Sequence, residues 1–366
     1  MRISFSIFGL LFLVSCATKQ AENEIIIRGQ VQDIPDGKVY LTNAYRWMIE
    51  LDSTTVKDGN FLFKITPDSS FYPYLASIRF PDANSSLGRG ALTFPGGAFY
   101  LEKGTTFITS DTTKSFRVPT GGLIIPAKAK AGKQNVAFID NSMSDFGWLG
   151  IIDSAKRESR IRYFHNQIKK YPFSYFLLDG IFNSRNQYTK NELENLLVGF
   201  NEDVRQSALG QKFRKYLFNR RDLNKPYPNL SLIASENKRR NILDATADIN
   251  MLVFWASWCG PCRKEIPSLK QIYHKYQDQK LNLVSISVDE KSVEWRKAVD
   301  EEKMPWPQLL VGKEEFEFVD AQFDPTSIPL IIFTDQKGNE LSRFVGYENG
   351  QEKKYDSIIN RHLLKK

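Results

Sequence analysis

Cysteine and histidine are scarce in this chain of 366 residues, with 3 of each. Three cysteines cannot staple a disulfide scaffold. Histidines at 165, 274 and 362 leave little for a His-rich metal site. The apolar run at the N-terminus falls short of the ~20 residues that span a bilayer. No internal repeat or low-complexity tract stands out. With 42% hydrophobic and 25% charged residues, the composition excludes a collagen-like chain, a mostly disordered one and a polytopic membrane protein. Nothing in the residues calls for a cofactor or a metal. The chemistry must come from a few special side chains, so the place of each cysteine matters.

The first cysteine gives an address. Met1-Arg2 precedes an almost unbroken apolar run from Ile3 to Val14, then Ser15-Cys16. A short basic start followed by such a run reads as a secretory signal peptide. Leu13-Val14-Ser15-Cys16 resembles the lipobox of bacterial lipoproteins, in which Cys becomes the first mature residue and carries lipid. Acyl chains then hold the protein by burying methylenes, at ~0.8 kcal/mol each. The competing reading is a plain signal peptide with an incidental Cys16. On the lipoprotein reading, 1–15 is the leader and 16–23 a tether. The protein would then sit in the cell envelope, lipid-anchored and facing the periplasm.

The net charge of +8 raises nucleic-acid binding as a class. The basic residues are scattered, apart from small clusters such as Lys238-Arg239-Arg240, and no nucleic-acid motif accompanies them. The charge reads as a solvated surface, and no nucleic-acid partner is expected.

Three regions follow the tether. Residues 24–120 have β character. Glu24–Val31, Lys38–Thr42 and Phe61–Ile65 are short β-branched and aromatic runs, and two more strands flank Lys103-Gly104. Pro35-Asp36-Gly37 and Asp58-Gly59-Asn60 predict hairpin turns, and Asp52 and Asp58 read as turn residues. A small antiparallel sandwich or barrel is expected. Residues 121–225 form a helical region. Its first stretch, Gly121–Gln134, reads as a loop, and Arg157–Lys170 and Gln211–Phe218 as helices. Leu193, Leu196, Leu197, Phe200 and Val204 have the spacing of one helical face. His165 reads as an ordinary helical residue. From 226 to 366 the pattern alternates strand, helix, strand, helix, strand, strand, helix, which predicts a mixed sheet with helices on both faces.

Phe254-Trp255-Ala256-Ser257-Trp258-Cys259-Gly260-Pro261-Cys262 stands where a buried strand meets a helix. Zinc would need two more ligands, which no second Cys pair or nearby His pair supplies. A structural disulfide across two residues would stabilise little. Haem attachment would need His where Arg263 stands. A redox pair fits the placement. Free backbone amides and the helix dipole favour the Cys259 thiolate. That thiolate can attack a partner's disulfide, and Cys262 resolves the mixed disulfide.

These residues carry a resemblance to the thioredoxin superfamily and, more narrowly, to exported, membrane-attached thioredoxins of the TlpA and ResA type. WASWCGPC with Arg263-Lys264-Glu265-Ile266-Pro267 matches that group's active-site helix, and Pro228-Asn229-Leu230-Ser231-Leu232 its opening strand. The resemblance implies an α/β thioredoxin-like fold over the C-terminal region. It also implies that Pro329, in Ser327-Ile328-Pro329, is the family's cis-proline, where the Ile328 backbone binds an incoming chain in strand fashion. The alternative there is a trans proline opening an edge strand. Glu265, on the adjoining helical surface, would set thiol ionisation or proton transfer, unless it is only a solvated first-turn residue. Trp258 would shield Cys259 and meet substrate, unless it only packs. The buried Asp of cytosolic thioredoxins is replaced by Val253, leaving Glu265 as the substitute proton acceptor. Peroxiredoxins, the nearest rival, place a Thr before a lone Cys; here Trp255-Ala256-Ser257-Trp258 occupies that region.

The first half resembles an uncharacterised β-rich domain fused to such thioredoxins in Bacteroides-type lipoproteins. Its cues include Ile27-Arg28-Gly29-Gln30-Val31, Val39-Tyr40-Leu41 and Tyr100-Leu101-Glu102-Lys103-Gly104. The expected whole is multidomain: an N-terminal antiparallel β-rich domain, a helical middle segment and a C-terminal thioredoxin-like fold. The expected function is thiol–disulfide exchange with exported protein dithiols or disulfides, including those awaiting haem attachment, fed by a membrane-borne electron donor. Oxidase or isomerase action stays open, as does a lipid-anchored binding or assembly module whose thioredoxin domain is secondary.

Overall fold

A computed structural model describes residues 23–44, 49–146, 154–222 and 224–363. The expected signal peptide, Cys16 and most of the expected tether lie outside the described residues. The chain divides into two compact units, Met1–Phe213 and Arg214–Lys366.

In the first unit, alternating burial along short strands builds one sheet around an apolar core of Ile27, Val39, Leu41, Ile78, Phe99 and Ile108. The strands are β1 (Ile25–Gln30), β2 (Gly37–Asn43), β3 (Glu50–Val56), β4 (Asn60–Ile65) and β5 (Tyr74–Pro81). They continue with β6 (Arg89–Thr93), β7 (Phe99–Leu101), β8 (Gly104–Ser110), β9 (Phe116–Arg117) and β10 (Leu123–Lys130). Their order is β3-β2-β5-β6-β10-β8-β1-β4, with β7 beside β5 and β9 beside β10. Pairing is mainly antiparallel, but β1–β8 and β6–β10 run parallel.

The sheet corrects three local expectations. Gly121–Gln134 is not a loop: β10 occupies most of it, between β6 and β8. Ala and Lys are poor strand formers, and Pro126 lacks an amide, so the sequence reads as irregular. Pro126 sits where the strand changes partner: 124–126 pair with β6 and 127–130 with β8. A missing donor is tolerated at such a switch. Asp52 lies within β3, opposite Leu41, rather than in a turn. The Asp58-Gly59 turn forms, with both residues at positive φ (49° and 76°). A Cβ on Gly59 would meet the Val31 carbonyl at 2.6 Å. As expected of a hairpin turn, the Lys57 and Asn60 backbones bond each other in both directions across it, at 3.0 and 2.9 Å, while β4 ladders with β1. The Pro35-Asp36-Gly37 stretch, by contrast, heads no hairpin, because β1 pairs with β4 and β8.

Helices follow: α1 (Lys133–Ile139), α2 (Ser154–Lys170), α3 (Tyr175–Asn183), α4 (Lys190–Val198), α5 (Glu202–Gln206) and α6 (Ala208–Asn219), the last crossing into the second unit. The apolar face from Leu193 to Val204 belongs to two helices. Thr189 and Glu192 form a capping box that starts α4. The helix stops at Gly199, where a Cβ would come within 2.9 Å of Ile168. Phe200 is buried in the connection and Val204 in α5.

The second unit holds β11 (Ser231–Ala234), β12 (Arg239–Asn241), β13 (Ile249–Trp255), α7 (Gly260–Tyr276), β14 (Leu281–Ser287), α8 (Ser292–Glu302), β15 (Gln308–Leu310), α9 (Phe316–Phe323), β16 (Leu330–Asp335), β17 (Glu340–Val345) and α10 (Glu352–Leu363). The sheet order is β12-β11-β15-β14-β13-β16-β17. β13 runs parallel to β14 and antiparallel to β16. Every residue of β13 is buried, as a strand covered on both faces requires. Met251, Val253 and Trp255 share a core with Ile266 and Leu269 of α7, Trp295 of α8 and Tyr355 of α10. Leu252 and Phe254, pointing the other way, share one with Val319 and Phe323 of α9. The sequence pattern lacked β12, β15 and α9. The two strands have three residues each, and α9 has no side-chain cap.

Candidate active site

β13 delivers the chain to the site at Trp255, and a short loop leads into α7. Cys259 is the N-cap of α7, and its amide donates to the Ala256 carbonyl at 3.0 Å. The Cys262 amide donates to Cys259 Sγ at 3.2 Å, so one unpaired amide of the first helical turn points at the sulfur. Cys259 and Cys262 are joined by a disulfide with Cα atoms 5.3 Å apart. Both are nearly buried, at 4% and 3% exposure. Pro261 sits in the first turn, where a missing amide costs nothing.

The Ile328–Pro329 bond is cis. It brings the Ile328 carbonyl oxygen to 3.7 Å from Cys259 Sγ. The Pro329 carbonyl is held from behind by the Gly346 amide, at 2.8 Å. Trp258 projects into solvent, 68% exposed, which excludes the packing role and leaves a large apolar surface beside Cys259.

Glu265 is corrected from the surface to the interior: it is 1% exposed. The spacing from Cys262 puts both on one helical face, and that face looks into the core. Glu265 Oε1 accepts a 2.5 Å hydrogen bond from Tyr355 of α10, which is fully buried. Glu265 Oε2 is buried without a hydrogen-bond partner. Burial pushes the Glu265 carboxyl above the usual carboxylate range; the Tyr355 donor opposes this and Glu352 adds to it. Val253, Cys262, Glu265 and Ser285 line one small cavity behind the disulfide.

Two contributors were not among the sequence candidates. Asp289, just beyond β14 and 4% exposed, accepts from the Ser257 amide at 2.8 Å and the Ser257 hydroxyl at 2.7 Å. Ser287 also donates to it, at 2.7 Å. Tyr355, on the last helix, lies outside every sequence motif. Single buried polar residues leave no periodic signal; only the fold brings them to the motif.

The arrangement can carry a pair of electrons between its disulfide and another. Two sulfurs lie at a helix N-terminus, the Ile328 carbonyl lies beside Cys259, and a buried carboxyl lies on the Cys262 side.

Known proteins resemble this chain over part of its length. Residues 247–340 match a thioredoxin-like family model, and residues 25–138 match a domain of unknown function (DUF4369). The thiol-disulfide oxidoreductase ResA of Bacillus thuringiensis is 22% identical over 130 residues, covering 36% of this chain and 73% of that protein. The thioredoxin-like protein YneN of Bacillus subtilis is 30% identical over 115 residues, covering 30% of this chain and 64% of that one. Among solved structures, the thioredoxin domain of a Bacteroides vulgatus thiol-disulfide oxidoreductase is 24% identical. It covers 38% of this chain and 96% of that one, with a TM-score of 0.34. The C-terminal unit is a thioredoxin-like domain of the thiol–disulfide oxidoreductase type.

Proposed function

We propose that this domain works from a lipid anchor at Cys16, facing the periplasm, and reduces disulfides of exported proteins through Cys259 and Cys262. The observation that carries the reading is the Cys259–Cys262 disulfide at the start of α7, with Cys259 Sγ 3.7 Å from the Ile328 carbonyl. In the dithiol form, the Cys259 thiolate attacks a substrate disulfide, forming a mixed disulfide and expelling one substrate thiolate. Cys262 then loses its proton and attacks Cys259 Sγ. The mixed disulfide breaks, and the second substrate thiolate leaves and takes up a proton. The substrate gains two electrons and the protein becomes the disulfide described above. Glu265 is the acceptor for the Cys262 proton. The Ile328 backbone receives the substrate chain in strand fashion, against Trp258. A membrane-borne dithiol donor returns the electrons, because the periplasm is oxidising. Exported proteins with cysteine pairs awaiting haem attachment are one substrate class that fits this reading.

Insulin reduction by wild type and Cys259→Ala tests the couple; equal activity in both would remove it. A redox titration tests the direction. A potential near that of thioredoxin, about −270 mV, fits a reductant, whereas one near about −120 mV means an oxidase.

A further inference from the structure

Glu265 is useful to Cys262 only if its carboxylate is aimed, and a bare Glu on a helix has several rotamers. Here one oxygen is committed. Tyr355 Oη donates to Oε1 at 2.5 Å, and both side chains are buried. Oε2 is left without a partner, and Glu265 lines the cavity that also touches Cys262 and Ser285. That cavity, of about 10 Å³, has room for one water to pass a proton. The helix bearing Tyr355 is itself pinned to α7. Asp356 accepts from Tyr276 at 2.5 Å and also pairs with Lys275, and Ser268 contacts Glu352 at 3.3 Å.

We propose that Tyr355 is a positioning residue for the redox couple: by holding Oε1 it turns Oε2 of Glu265 toward the cavity shared with Cys262, where Oε2 takes up the Cys262 proton during resolution. This rests on the exchange reaction proposed above. The proton leaves Cys262 Sγ for Glu265, the Cys262–Cys259 bond forms, and the Cys259–substrate bond breaks. Tyr355 keeps its own proton throughout. The groups facing Glu265 are Tyr355 and Glu352 from α10, Cys262 from its own helix, and Ser285 from β14. Glu352 is the charged one, and it disfavours the ionised form.

The test uses the whole reduced chain and an aromatic disulfide whose thiolate absorbs visible light. The first thiolate released reports attack by Cys259, the second resolution by Cys262. Tyr355→Phe keeps the ring and removes the donor. The second phase should then move to higher pH by about one unit and slow roughly tenfold at neutral pH, while the first stays within about twofold. In a Glu265→Gln background, Tyr355→Phe should change nothing further. A second-phase profile that superimposes on wild type overturns the proposal, as does a shift that persists in the Glu265→Gln background. If Tyr355→Phe does not fold, Glu352→Gln takes its place: the midpoint should move to lower pH, and an unmoved midpoint is equally fatal. A wild type that releases no thiolate removes the exchange reaction itself, which separates that failure from this one.

Discussion

Asp289 carries the loop in front of Cys259: its carboxylate accepts both the backbone amide and the hydroxyl of Ser257, at 2.8 and 2.7 Å. The loop is thereby tied to the end of β14, in addition to its own Cys259–Ala256 backbone bond. We expect Asp289→Ala to cost about 2–4 kcal/mol of stability, since it strands buried donors. It should also slow attack by the thiolate. Denaturant unfolding checks the first part, and an unchanged midpoint would take Asp289 out of the loop's support.

Glu265 should make stability depend on pH in a specific direction. Burial raises its carboxyl above the ordinary value of 4.5. Between that value and the raised one, the native state binds more protons than the unfolded chain, so stability falls as pH rises. The unfolding free energy of wild type minus that of Glu265→Gln should decline from pH 4.5 upward and level off above the folded value. Urea titrations from acid to neutral pH measure it; a flat or climbing difference would refute the burial effect.

Trp258 should separate binding from folding. At 68% exposure, its replacement by Ala should leave stability within about 0.5 kcal/mol. Turnover of a protein disulfide should show a higher KM, while a small aromatic disulfide reacts at the wild-type rate. Equal losses on both substrates would mean that Trp258 acts on Cys259 and not on the incoming chain.

Cys16 should decide the address. Cys16→Ser should abolish incorporation of labelled fatty acid and release the protein from membranes on fractionation. Retention of label would point to another attachment residue.

Legibility in the sequence followed the length scale of each signal. The CxxC pair and the strand–helix alternation around it lie within one contiguous motif or a periodic run, and Pro329 came from the family resemblance. Local chemistry therefore sufficed to find β13, α7, β14 and the β16–β17 hairpin. Glu265 was visible as a residue but misplaced, because a first-turn Glu on an exposed face and one on a buried face look alike until the partner is known. That partner, Tyr355, comes from the last helix. Asp289 was missed for the same reason, since its role consists of bonds to Ser257 across 32 positions.

The first unit was read less well because tertiary pairing there overrides local preference. Asp52 sits in a strand because β2 pairs with β3 from Gly37 to Thr42, Leu41 facing Asp52. The face from Leu193 to Val204 is continuous in burial but broken in backbone, because Gly199 must let Ile168 approach. Segment composition records neither neighbour.

Pro126 also bears on the order in which this unit can be assembled. Among the described residues, β10 is the strand that ladders with both β6 and β8, and it is the last strand of its sheet in the sequence. The β2–β3 hairpin and the β5–β6 pair are local and can form while synthesis continues. The group β1-β4-β8 meets the group β2-β3-β5-β6 through β10 and the short bridge at Lys57–Asn60. On an emerging chain made at about 5–20 residues per second, the two groups therefore wait, half-joined and with open edges, until residues 123–130 are available.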